Sequence, residues 1–179
     1  MGYTVHLFGL DGKDFAERLV NDGKEILDQT RARVQKERRV SKGDLERGME
    51  IAQAICNGEL PKECDDDYFW VLCWIGDTVL ERIPSSGLAG VNHFDYIEEV
   101  GVWPLLGRWK PPFPVPRSSE VPPAVGYLPR EAMAETAIPE LEQLPEPGPD
   151  AANARRTLIE VIESLDEDEL DLLTVITRL

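Results

Sequence analysis

Tyr68-Phe69-Trp70-Val71-Leu72-Cys73-Trp74-Ile75 is apolar on almost every side, and three carboxylates, Asp65, Asp66 and Asp67, stand immediately before it. Negative charge complements the partial positive charge of a helix N-terminus, so a helix start is expected at the aspartates. A helix that is apolar all round has to be covered all round. The pattern continues through Val79 and Leu80 to Ile83, and Pro84 then removes a backbone donor. Residues 68–83 are therefore expected to form the central helix of the core.

On the N-terminal side of this helix, Ser41-Lys42-Gly43-Asp44 offers a serine oxygen to an orphan backbone N–H and a carboxylate to the same helix start. Leu45, Met49, Ala52, Ile55 and Cys56 follow on one stripe, and Asn57-Gly58 is a natural stop. Asp22-Gly23-Lys24-Glu25 has the spacing of a capping box and predicts another helix to about Arg38. A shorter helix is expected from Lys13 to Val20, with Phe15 and Leu19 on one side. Tyr3 to Phe8 alternates apolar positions and is rich in β-branched and aromatic residues, which predicts a first strand closed by a turn over Gly9 to Gly12.

On the C-terminal side, Ser85 to Asn92 reads as a loop, and His93 to Leu106 as a short helix broken near Gly101 and Pro104. Lys110-Pro111-Pro112-Phe113-Pro114-Val115-Pro116-Arg117, with Pro122-Pro123 soon after, has too many fixed φ angles and missing donors for a helix or central strand. A stiff extended connector is expected there. Val125 to Leu128 is a candidate strand, and Pro129 opens a helix that reaches at most Leu144 and is interrupted at Pro139. Asp150 is placed as the N-cap of a helix that carries Ala151, Ala154, Leu158, Val161, Ile162 and Leu165 on one face. Leu170 to Thr177 reads as a strand for its β-branched residues, with helix as the alternative for its leucines. Pairing that strand with Tyr3 to Phe8 gives an α+β fold: a small central sheet of N- and C-terminal strands, covered by several helices, with a proline-rich connector.

At 179 residues and 42% hydrophobic content one core is expected, hence a single domain over residues 1–179. No signal peptide or membrane-spanning stretch is read in the chain, and Cys56, Cys64 and Cys73 match neither a disulfide framework nor a zinc or redox pair. A reduced, cytoplasmic setting is expected. The net charge is −15, and from Glu120 onward fourteen acids face four bases. Such a chain repels phosphate backbones and anionic lipid, which argues against nucleic-acid and membrane binding. Arg31, Arg33, Lys36, Arg38 and Arg39 make one basic stretch, read as a solvated helix face or as a contact for RNA or an acidic partner.

Several of these pieces together resemble an uncharacterised family of small bacterial proteins, YfbM-like in outline. They are Tyr3 to Leu7, the Ile55-Cys56-Asn57-Gly58-Glu59-Leu60-Pro61 helix end, Tyr68 through Cys73 to Leu80, Pro114-Val115-Pro116, Pro123 with Val125-Gly126-Tyr127-Leu128, and the terminal helix and strand. The resemblance implies a fold and a bacterial cytosol. Each piece is a packing or turn element, so no activity, cofactor or catalytic residue comes with it.

Residues with chemical potential are scattered. Cys64 lies at a helix start, which lowers a thiol pKa, but Asp65 to Asp67 beside it oppose that effect. Cys64, Cys73 and His93 fit no zinc spacing, so no metal is expected. Ser85, Ser86, His93 and Asp95 supply the residue types of a hydrolytic triad without a nucleophile elbow, and Gly87 to Gly90 lacks the spacing of a phosphate loop. Glu98 and Glu99 are adjacent and point apart on a helix or a strand. Trp103 and Trp109 are candidate anchors of a binding surface, or else aromatics that hold down the proline-rich stretch. The first expectation is a non-enzymatic interaction protein, an acidic immunity-like or antagonist partner of a basic protein, with Trp103, Trp109, Arg33, Lys36 and Arg39 as contact residues and no cofactor. The alternative is a small hydrolase or ligand-binding enzyme with a pocket near Cys64, His93 and Asp95.

Overall fold

In a computed structural model, residues 3–36, 40–61, 66–83, 102–116, 124–145 and 148–178 are described. Strand β1 (Tyr3–Leu10) sends Val5 and Leu7 to one side of the sheet and Phe8 and Leu10 to the other, as the two-residue period of a strand requires. It is flanked by β2 (Glu81–Ile83) and β4 (Asp171–Arg178), and β4 in turn pairs with β3 (Ala124–Leu128). The order is β2-β1-β4-β3, and every neighbouring pair is antiparallel. The fold is α+β, and the first and last strands do meet in the middle of the sheet, in register from Tyr3 opposite Arg178 to Leu10 opposite Asp171.

Helices α1 (Gly12–Asn21), α2 (Gly23–Val34), α3 (Lys42–Cys56) and α4 (Asp66–Val79) cover one face. The expected stripe of α3 is buried in full, and Gly58, at φ 72°, ends that helix in the left-handed conformation that glycine adopts without steric cost. Ser41 caps α3 by accepting from the Asp44 N–H at 3.2 Å. Asp22 stands at the N-cap of α2 without a side-chain cap bond, so the capping box read there does not form. Helix α4 is the innermost: Tyr68, Leu72 and Ile75 are wholly buried. It does not run on to Ile83. Its last turn closes with Leu80 N–H on Gly76 O, and Glu81–Ile83 becomes edge strand β2. The residue before a proline is pushed out of the helical region, which suits Ile83, before Pro84, to an extended strand.

The opposite face is covered by α5 (Val102–Leu106), a 3₁₀ turn (Arg130–Ala132), a π turn (Met133–Ala137), α6 (Ile138–Gln143) and α7 (Pro149–Glu167). Pro104 falls in the first turn of α5, where its missing donor is no loss, so it does not break that segment. Pro139 likewise sits at the start of α6, and the widened π turn lies immediately before it. Helix α7 begins two residues earlier than expected, with Gly148 rather than Asp150 as N-cap and Pro149 in the first turn. The described part of the proline-rich connector, 110–116, holds neither helix nor strand. It is pinned by buried Phe113 edge-on to Phe15 and by the Tyr68 hydroxyl donating to Pro114 O at 2.7 Å.

Candidate functional site

A depression of about 180 Å³ lies between the N-terminal halves of α3 and α4. Trp70 and Trp74 are one turn apart on α4, so both indoles face it, with Gly48 and Asp44 opposite on α3 and Asp67 beside them. A side chain at position 48 would place its Cβ 2.3 Å from the Trp74 ring, so that ring can lie against α3 only because residue 48 is glycine. Trp70 is held edge-on by the ring of His6, with centroids 6.0 Å apart. His6 is itself buried in β1 and shares a 3.0 Å hydrogen bond with Thr177 of β4. Asp44 accepts from the Ser41 hydroxyl at 2.6 Å, and half-exposed Asp67 pairs with Arg47 at 2.8 Å. Sequence reading placed Trp70 and Trp74 in an all-buried helix. The signal that could have separated them was Gly48, a small residue in the middle of a strongly patterned helix.

A second polar cluster closes one end of the sheet. The Asp171 carboxylate accepts from Gly12 N–H at 2.9 Å, from Arg130 N–H at 2.8 Å and from the Tyr127 hydroxyl. Burial, then the hydrogen bond and negative charge of Asp171, drive the Tyr127 pKa far above the ordinary phenol value. A phenol held neutral in this way and a carboxylate whose oxygens are taken by donors tie three chain segments together. They are spent on structure.

A family model described as "Domain of unknown function (DUF7691)" matches residues 1–173. The chain belongs to that family. No curated protein and no solved structure matches it. The membership of DUF7691 agrees with the resemblance to an uncharacterised family and brings no activity to any residue.

Cys64, Ser85, Ser86, His93, Asp95, Glu98, Glu99 and Arg39 lie outside the described residues. Trp103 is buried against the backbone of Gly126 in the α7-side core, so its bulk serves packing. Trp109 is half-buried, and the guanidinium of Arg108 lies 5.3 Å from its ring centre while making two bonds of 2.7 and 2.6 Å to Glu140. That pairing holds Glu140 below and Arg108 above their ordinary pKa values. Arg33 is engaged internally: it donates to Asp77 O at 2.7 Å at the end of α4, and its guanidinium lies 3.7 Å from the Asp77 carboxylate. Lys36 is exposed just past the end of α2. Cys56 and Cys73 are buried, and burial pushes the Cys56 thiol up to about 11, far from a nucleophilic thiolate at neutral pH. Among the described residues no cluster of histidine, cysteine and carboxylate side chains is grouped to hold a metal, and no helix is long and apolar enough to cross a membrane.

Proposed function

We propose that this chain is a non-enzymatic, cytoplasmic interaction protein that binds a basic protein partner. The observation that carries the reading is how the charge is spent. Arg18, Arg33, Lys42, Arg47, Arg108, Arg130 and Arg156 each pair with a nearby carboxylate, and Arg155 donates to the carbonyls of Glu142 and Leu144. The net charge of −15 therefore remains as a surplus of acids, with Glu17, Asp28, Glu50, Glu131, Glu163 and Glu167 exposed around the surface. Such a field favours encounter with a positively charged protein and disfavours nucleic acid and anionic lipid. The resemblance to small bacterial proteins fits an immunity-like or antagonist role in a bacterial cytosol.

Calorimetry of the full chain with a short arginine-rich peptide and with a glutamate-rich peptide of the same length tests this. Binding of the cationic peptide alone, weakened by salt yet persisting at about 0.15 M, is the expected result. Absence of that binding at the same ionic strength overturns the reading.

A further inference from the structure

We propose that the groove between α3 and α4 is the seat of an arginine side chain presented by that basic partner, an inference that rests on the reading above. The groove combines what a cation requires: two indoles, the aromatic side chain that attracts cations most strongly, and the carboxylates of Asp44 and Asp67 in its lining. Both rings already have contacts within the fold, Trp74 lying close against Gly48 of α3 and Trp70 packing edge-on with buried His6, which lowers the ordering entropy lost on binding. A planar guanidinium stacks on an indole while its N–H groups reach a carboxylate, which a lysine ammonium does less well.

The same chemistry is already assembled once within this molecule. At Trp109 an indole and the Glu140 carboxylate together hold the guanidinium of Arg108. In the groove the indoles of Trp70 and Trp74 stand beside Asp44 and Asp67, and Asp67 already attracts one guanidinium, that of Arg47. Arg47 is thus a tethered competitor at the rim, and removing its charge favours the incoming arginine.

The experiment uses the full chain labelled with ¹⁵N, titrated with the arginine-rich peptide at about 0.15 M salt. The indole N–H signals of Trp70 and Trp74 are expected to move on binding while that of buried Trp103 stays in place. The exposed substitution Arg47→Gln is expected to tighten peptide binding a few-fold, and Trp74→Leu to weaken it roughly 3- to 30-fold, the range of a cation–π contact. A lysine-rich peptide of equal length is expected to bind more weakly than the arginine-rich one. Peptide binding that leaves the Trp70 and Trp74 signals unmoved and is indifferent to Arg47→Gln overturns the groove while the acidic-partner reading stands. No binding of any cationic peptide overturns both.

Discussion

The two faces of the sheet are built from similar residues and closed differently. On the α7 face buried Trp103 lies against Gly126 of β3 and belongs to one core cluster with Val5, Leu7, Leu158, Ile162, Leu172 and Ile176. On the α4 face the wholly buried Phe8, Phe15, Ile55, Leu72 and Ile75 form an equally continuous layer, yet Trp70 and Trp74 at its outer side remain half-buried around an open groove. Apolar side chains fill both faces. What differs is whether the rest of the chain covers the indoles, as at Trp103, or leaves them lining a groove, as at Trp70 and Trp74.

The largest effect that tests this contrast is truncation of the tryptophans. Trp103→Ala is expected to cost about 3–5 kcal/mol, as for a large side chain removed from a closed core, and Trp74→Ala less than half as much, because part of its surface is already in water. Urea unfolding of the two variants measures the difference. Equal losses would show the α4 face to be as closed as the other.

A smaller effect appears in alkali and belongs to the α4 face, where Cys56 and Tyr127 are buried. Both groups have folded pKa values raised above their unfolded values, so the stability they contribute is present at neutral pH and is lost as pH rises. For Cys56 the loss is expected between about pH 9 and about 11, and Cys56→Ala should remove that portion. Tyr127 adds to the loss above about pH 10, and Tyr127→Phe should remove that part at the cost of its bond to Asp171. Denaturant midpoints recorded against pH separate the two; a wild-type profile flat from pH 8 to 11 would contradict both assignments.

The smallest effect compares two threonines on β4. Thr177 is buried on the α4 face and bonded to His6, whereas the buried hydroxyl of Thr174, on the α7 face, has no hydrogen-bond partner among the described residues. Thr174→Val is expected to stabilise by about 1 kcal/mol, and Thr177→Val to destabilise by about the same amount. Thermal or urea midpoints of the two variants moving in the same direction would break the distinction.

Much of the fold was legible because its signals are local. The buried stripe from Leu45 to Cys56, the Ser41 cap and the Gly58 stop are each written within one or two helical turns, and each is found. The terminal strand was legible from Thr174, Val175, Ile176 and Thr177 despite the leucines before them. The misreadings also have physical causes. Glu81–Ile83 continues the helical pattern of α4 but finds an open edge on β1, and long-range pairing there outweighs local propensity. Asp22 has the spacing of a capping box, which cannot show whether its side chain turns back to the helix start.

Of the candidate site residues, Trp103 and Trp109 could not be told apart by type, since aromatic residues in a proline-rich stretch pack or project according to what the rest of the chain brings over them. The amino-acid sequence by itself determined most of the elements, their amphipathic faces and the acid surplus, because each follows from residue identity and short-range periodicity. Tertiary structure alone decided that α4 meets α3 at Gly48, that residues 12, 127 and 130 converge on Asp171, and that Trp70 and Trp74 stay half open while Trp103 is sealed. These depend on which backbones approach one another across long stretches of chain, and no local pattern carries that information.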